Sequence, residues 1–577
     1  MAIPDWIQKR YLSLRDNFKE QPFRFSEAAL FLNQKFEDSK EQVKVILSEL
    51  KKAKLLKTQK SIEDAREKIY TLVPLIQTSE NHLNHKQELI RVLKKAADII
   101  RTRVDYSFIL LLLFYKCLSD KYQKNYQKTY HQLLKDGFSN AEALREAANP
   151  VYHDLDLPKE YLWEEVRKDP LKLSENLSRV MKMLAENNPT LKDIFTQFDF
   201  LEFTRSPENN EILRQLFELF SSYSFEKIPS DTIGDAYEWI IKNFAPQKGK
   251  EGEVYTPREV IRLMVEILKP VPLKSVYDPA MGSGGMLITA YQYAEEHYGE
   301  EEANRLFLYG QESNLKTLAL AKMNILVHEI KNINLQPGDT LLFPKFKTEV
   351  DVKKFDYVIA NPPWNQDGYE EGTLKRGEFW RQRFPFGFPT KQSADWAWIQ
   401  HMLASAKANG KVAVVIDTGA ASRGGREKGM RQKVVEADFI EVVILLPEKL
   451  FYNTGAPGLV MVFNKEKPKE RKGKILLINA TREFEPGKPQ NVLGKENIKK
   501  IVQTYEGFRE VEGFSKITTI KDAAEADFNL SPSRFVSIIE EEKHRPIKEI
   551  ARDLKKIDKE RQKIEKKVEG ILRRMGD

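Results

Sequence analysis

A doubly wound α/β domain, preceded by a mostly helical region and followed by a charged helical tail, is the architecture expected of this chain. Three observations carry that expectation. Between residues 246 and 480, short apolar runs alternate with stretches of helical period, the pattern of buried strands with helices packed outside. One such strand runs through Val276 and Tyr277 into a glycine-rich turn, Asp278-Pro279-Ala280-Met281-Gly282-Ser283-Gly284-Gly285. Another, Phe355 to Ala360, must leave the sheet at Asn361-Pro362-Pro363-Trp364, because proline cannot continue a central strand.

The 577 residues suffice for three or four domains. In residues 1–80, helices are expected to begin near Phe25 and after Ser39, the second with Val43, Ile46, Leu47 and Leu50 on one face. A hairpin from Lys57 to Leu72 follows, with Asp64-Ala65-Arg66 at its turn. Two helices and a wing resemble a winged helix-turn-helix, with Lys40, Gln42 and Lys44 directed at a groove; a small protein-packing module is the alternative. Residues 85–245 read as mostly helical. Their longest apolar run, Phe108 to Tyr115, is too short for a bilayer and predicts a buried helix. Asp231 to Phe244 is the last expected helix, and Pro246 to Gly252 a flexible basic connection.

Within residues 246–480 a helix is expected from Met286 to about His297. A strand from Leu306 to Gly310 ends at Gln311-Glu312, and a turn holds Asp339 and Thr340. Later strands are Val412 to Ile416, Ile440 to Leu446 and Gly458 to Asn464. Residues 481–539 form a closing segment. Residues 540–577 form a helical tail whose Ile550, Leu554, Ile557, Ile564, Val568, Ile571 and Met575 follow a heptad seam interrupted by Arg561, a stripe suited to a docking helix.

Composition narrows the class of function. The charge of +8 suits a polyanionic partner only through local patches, since 93 basic residues face 85 acidic ones. A single cysteine argues for a reducing compartment, and no signal-peptide pattern opens the chain. A soluble, cytoplasmic protein without a membrane span is expected.

The motifs point to a planar amine and a nucleoside-like ligand. The Asn361 and Pro362 carbonyls can accept from one amino group, and Trp364 offers a face for a heterocycle. The glycine turn lets a ligand approach backbone N–H groups at a helix start, where a carboxylate or phosphate is favoured. Its spacing is neither the dinucleotide fingerprint nor a phosphate loop. Glu312, at the end of the second strand, is placed for ribose hydroxyls, and Asp339 for an adenine amino group.

Together these residues resemble the modification subunit of type I restriction-modification systems, which are S-adenosylmethionine-dependent DNA amino-methyltransferases. The match rests on Asp278 to Gly285, on Tyr255-Thr256-Pro257-Arg258, on Glu312 and on Asn361 to Trp364. It extends to Lys95–Arg101 with the following apolar run, and to Phe528–Val536, covering roughly residues 85–577. Met281 stands where many relatives carry cysteine. The resemblance implies a Rossmann-like methyltransferase domain, with a reversed strand supplied by Gly458 to Asn464. It implies S-adenosyl-L-methionine bound by Glu253, Tyr255, Thr256, Pro257, Asp278, Pro279, Ala280, Gly282, Ser283, Gly284, Gly285, Glu312, Asp339 and Thr340. Catalysis would fall to Asn361, Pro362, Pro363 and Trp364, with no metal. The implied partners are double-stranded DNA, a specificity subunit met through the C-terminal helix, a second copy of the methyltransferase subunit and a restriction or translocase subunit.

The chemistry is coherent with that family. Acceptors on the amino hydrogens localise the nitrogen lone pair, which preorganised electrostatics and in-line positioning then exploit. Carbon-5 methylation of cytosine would need a thiolate, and Cys117 lies in an apolar helical run. Adenine N6 and cytosine N4 remain, and Asn361 favours adenine. A duplex base must be flipped out, with Trp364 and Phe451 as stacking candidates. Two basic stretches, Phe379–Phe388 and Arg423–Lys428, are candidate phosphate contacts. The alternatives are a self-sufficient methyltransferase that reads DNA through residues 1–80, a protein-glutamine methyltransferase, and a binding module with an inactive pocket.

Overall fold

A computed structural model of the chain describes residues 5–18, 21–52, 56–60, 68–72, 79–100, 105–153, 155–225, 233–234, 239–240, 256–451, 454–488, 490–537 and 547–575. Contacts divide it into two units, Met1–Glu88 and Leu89–Asp577. Glu253, Tyr255, the hairpin turn at Asp64-Ala65-Arg66, the connection Pro246–Gly252 and most of the helix expected over Asp231–Phe244 lie outside the described residues.

In the first unit, helix Asp5–Phe18 precedes β1 (Phe23–Arg24), helices Phe25–Phe36 and Lys40–Lys52, and strands β2 (Leu56–Lys60) and β3 (Lys68–Leu72). The three strands form an antiparallel sheet in the order β1-β3-β2. Ser39 starts the Lys40–Lys52 helix as expected: its Oγ accepts from Gln42 N at 3.3 Å, and its N donates to Gln42 Oε1 at 2.7 Å. Val43, Ile46, Leu47 and Leu50 are buried with Tyr11, Leu14 and Leu32, while Lys40, Gln42 and Lys44 are exposed. The first helix and the two-residue β1 add to the two helices and hairpin expected.

The second unit begins with helices. Helix Ser107–Lys135 buries Ile109 to Tyr115, as the apolar run predicts. Helices Leu173–Asn187 and Pro207–Ser221 pack around it, and the same core takes Leu320, Met323 and Val327 from helix Leu315–Val327. The helical region thus packs directly on the α/β layer.

That layer is a nine-stranded sheet. Its strands are β4 (Ser275–Asp278), β5 (Phe307–Glu312), β6 (Ile333–Pro337), β7 (Phe355–Ala360), β8 (Ala406–Asp417), β9 (Ile440–Leu445), β10 (Gly458–Asn464), β11 (Lys474–Asn479) and β12 (Ser515–Thr519). They are ordered β12-β11-β9-β10-β8-β7-β4-β5-β6. β4, β5, β6, β7 and β8 pair in parallel, and β10 runs antiparallel to both β8 and β9. The reversed strand is therefore Gly458–Asn464. Alternate side chains enter opposite cores: Val412, Val414 and Ile416 one, Ala413 and Val415 the other. Such strands read as continuous apolar runs because both faces are covered.

The sheet continues past residue 480. β12 pairs with β11, and Phe528 and Leu530 join the core under β8, β9 and β10. Helix Ile547–Met575 ends the described chain, with Leu554, Ile557, Ile564 and Val568 each 47–62% exposed. Among the described residues, no helix is long and apolar enough to cross a membrane.

Candidate functional site

The strand order reverses between β4 and β7, the position where open α/β sheets bind ligands beyond the strands' carboxyl ends. Asp278 ends β4, and its Oδ1 accepts from Ala280 N at 3.0 Å. Burial pushes this carboxyl up to about 8, with the Ala280 N–H opposing and the charge of Glu312 adding to the rise. Gly282 (φ +53°) and Gly284 (φ +83°) then adopt left-handed backbone, and a Cβ at Gly282 would meet nothing within 4 Å. Helix Gly285–Tyr298 follows, so its first N–H groups lie at the turn.

Two of the other expected cofactor residues, Glu312 and Thr340, are joined to this turn by hydrogen bonds. Glu312 Oε2 accepts from Gly282 N at 3.0 Å, and Oε1 from Asn314 N at 2.8 Å. Thr340 Oγ1 donates to Pro279 O at 2.6 Å, joining the Asp339 turn to the glycine turn. Asp339 Oδ2 accepts from Tyr369 OH at 2.8 Å, a contact that raises the tyrosine's pKa beyond what burial alone does.

Gln311 carries no sequence signal yet organises this region. Fully buried, it donates to Gly338 O at 3.1 Å and Phe343 O at 3.0 Å, and accepts from Lys345 N at 2.9 Å. Its own carbonyl accepts from Met281 N at 3.2 Å. Asn324 is a second unanticipated support, donating to Ser283 O at 3.1 Å from helix Leu315–Val327.

Across the switch, Asn361 follows β7 directly. Its Nδ2 donates to Thr256 Oγ1 at 2.6 Å, and its Oδ1 accepts from Trp364 Nε1 at 2.8 Å. These two contacts determine which way the amide points. An amide oxygen has two lone pairs and can accept more than one hydrogen bond. Thr256 and Pro257 are thereby joined to the Asn361 motif.

Trp364 is only 6% exposed and meets Phe451 edge to face, with centroids 4.9 Å apart and an interplanar angle of 69°. Phe451 is itself buried, and both rings lie over Gly458, where a Cβ would stand 2.5 Å from the Phe451 ring. Both stacking candidates are thus in one cluster, in contact with protein.

In the two basic stretches expected as phosphate contacts, Arg383 and Arg423 are engaged by the protein itself. Arg383 is fully buried and donates to the Glu378 and Thr340 carbonyls at 3.0 Å each and to Leu341 O. Burial lowers its pKa to about 10. It therefore braces the Thr340–Leu341 turn and offers nothing to a phosphate, whereas Arg381 is exposed over Trp380. Arg423 is enclosed by Asp395, Asp417 and Glu427, and helix Gly425–Glu436 starts right after it. Arg426 and Lys428 remain at the surface. In the helical region, burial pushes the Cys117 thiol well up, against nucleophilic use.

Comparison with known proteins gives a consistent picture. The N-6 DNA Methylase family profile matches residues 229–544, and the HsdM N-terminal domain profile matches residues 89–220. The chain is 41% identical to the type I restriction enzyme MjaVII methylase subunit of Methanocaldococcus jannaschii, covering 99% of this chain and 98% of that protein. It is 40% identical to the MjaVIII methylase subunit of the same organism, covering 98% and 97%. Among solved structures, the type I restriction-modification methyltransferase subunit from Streptococcus thermophilus superposes with a TM-score of 0.68 at 26% identity, over 78% of this chain and 99% of that one.

Proposed function

Because the chain belongs to the type I restriction enzyme methylase subunits within the N-6 DNA Methylase family, we propose that Asn361, Pro362, Pro363 and Trp364 perform its methyl transfer to adenine N6 in DNA. The protein is an adenine-specific DNA methyltransferase subunit of a type I restriction-modification system.

S-adenosyl-L-methionine supplies an electrophilic methyl group on a sulfonium that leaves readily. The remaining work falls to this chain's residues. Asn361 Oδ1 and the Pro362 carbonyl accept the adenine amino hydrogens, which localises the nitrogen lone pair. Thr256 and Trp364 hold the Asn361 amide so that its oxygen is aimed before the base arrives. Glu312 binds the ribose, Asp339 and Thr340 the adenine end, and Gly282 to Gly285 the amino-acid end of the cofactor. Glu253, Tyr255, Thr256, Pro257, Asp278, Pro279 and Ala280 complete the pocket. The open space at Gly282 and the Glu312 carboxylate beside it fit that ligand. A flipped adenine stacks at the Trp364–Phe451 cluster, and since both rings are buried against each other, they must part to offer the base a face.

The observation that carries this reading is the Asn361 amide, oriented by two partners at the carboxyl end of β7, beside the glycine turn of β4. Asn361→Ala in the assembled enzyme should abolish methylation while S-adenosylmethionine still binds. Near-normal turnover would sink the assignment.

Sequence choice belongs to a specificity subunit, which the exposed apolar stripe of helix Ile547–Met575 docks. A second methylase copy and a restriction subunit complete the assembly. Residues 1–80 form a winged helix-turn-helix, supported by a helix–strand–helix–helix–hairpin order and by exposed Lys40, Gln42 and Lys44. Removing residues 1–80 should weaken DNA binding by the full assembly; unchanged affinity would leave that unit a protein-packing role.

A further inference from the structure

The acceptor motif runs into a residue held from far along the chain. Asn365, immediately after Trp364, has φ +51°, a left-handed conformation that asparagine adopts more readily than most residues with a Cβ. Its N donates to Asp395 Oδ1 at 3.0 Å, and its Oδ1 accepts from Arg423 Nη1. Arg423 also pairs with Asp395 Oδ2, with Asp417 at 3.1 Å and with Glu427 at 2.8 Å.

The clamp extends along the segment. Ala394 N donates to Gln366 O at 2.8 Å, Trp398 Nε1 to Gln366 Oε1 at 3.1 Å, and Gly368 N to Lys391 O at 3.0 Å. Asp395 is fully buried. A buried carboxylate is costly, and replacing such a pair with apolar residues is often neutral, so its presence is poorly explained by stability. Its position is informative, because both of its oxygens serve the residue that follows the motif: one directly, one through Arg423.

We propose that the Asp395–Arg423 pair is a positioning device for methyl transfer, fixing Asn365 in its left-handed turn and so setting where Trp364 and Asn361 stand against the target amine. The inference rests on the reading of Asn361 to Trp364 as the acceptor motif. Asp395 acts through Asn365 and is a positioning residue. The charged groups facing it are Arg423, Glu427 and Asp417. Burial pushes its carboxyl up to about 6, against the opposing pull of Arg423 and the Asn365 N–H, so it titrates within reach of an activity assay.

The test uses the complete assembled enzyme with its DNA site. Single-turnover methylation, equilibrium S-adenosylmethionine affinity and thermal stability are measured for Asp395→Asn, Asp395→Ala and, as a control, Asn361→Ala. Asp395→Asn should slow methylation about tenfold and Asp395→Ala about 100-fold, the scale of a misplacement by about an ångström. Cofactor affinity should stay near wild type, while thermal stability should fall in both variants, most in Asp395→Ala, because one partner of a buried pair is removed; rates are therefore compared well below the melting temperature of each variant. The wild-type rate should fall as pH drops through about 6, and that limb should vanish in Asp395→Asn. Should Asp395→Ala fail to fold, the near-isosteric Asp395→Asn carries the test. An unchanged rate and an intact acid limb in Asp395→Asn would overturn the proposal, as would a loss of rate matched by loss of cofactor binding. An active Asn361→Ala would instead overturn the reading of the motif itself, so the two failures are distinct.

Discussion

The indole N–H of Trp364 donates to the side-chain oxygen of Asn361 at 2.8 Å. The tryptophan thus orients the acceptor in addition to any stacking. Trp364→Phe retains a ring against Phe451 but removes the donor. Methylation should slow by about tenfold, with stability lowered by about 1–3 kcal/mol, the lost hydrogen bond adding to the cavity left by the smaller ring. Single-turnover kinetics beside a thermal melt check this.

Glu312 links the glycine turn to the second strand through bonds from Gly282 N and Asn314 N. Glu312→Ala removes both acceptors and the charge. Cofactor affinity should fall by about 1.5–3 kcal/mol, the range for bonds to a charged group. Titration calorimetry reads the loss directly.

Gly458 opens β10 beneath two aromatic rings. In Gly458→Ala the new Cβ would stand 2.5 Å from the Phe451 ring and 3.1 Å from Trp364. Overpacking of this kind costs about 1–3 kcal/mol. The melting temperature should drop, and aromatic near-ultraviolet dichroism should change with it.

Cys117→Ala tests the exclusion of a thiol mechanism. The thiol is pushed up by burial first, then by Asp120, with Lys116 opposing. Methylation should stay within about twofold of wild type, since neutral side chains outside the site take no part in the barrier.

Asp278 supplies a pH signature. Its folded carboxyl is raised to about 8, far above an unfolded aspartate. Between those values the folded state holds a proton that the unfolded state has lost. The contribution to stability therefore falls as pH rises from about 4 toward 8, then levels. Asp278→Asn removes this dependence. Denaturant melts should show the variant gaining on wild type from pH 6 to pH 9.

Much of this architecture was legible because burial on both faces writes itself into sequence. Val412 to Ile416 and Gly458 to Asn464 read as strands with no polar alternation. The glycine turn was legible because positive φ leaves few other residue choices. β12 was not, since an edge strand reading Ser-Lys-Ile-Thr-Thr needs only one apolar face. Arg383 looked like a surface cation, because the carbonyls of Thr340 and Leu341 that bury it lie in a distant turn. Gln311 and Asp395 are invisible for the same reason: their partners, backbone atoms and, for Asp395, also the Arg423 guanidinium, take positions that only the tertiary fold determines.

The parallel pairing of β4 with β7 has a consequence in time. Ser275 and Asp356, hydrogen-bonded across it, are 81 residues apart. The glycine turn is synthesised and locally complete well before Asn361 exists. Contacts at such separation form only after the loop between them closes, which makes them slow. A nascent chain therefore possesses its glycine turn long before it possesses Asn361, and only closure of the central sheet brings the two side by side.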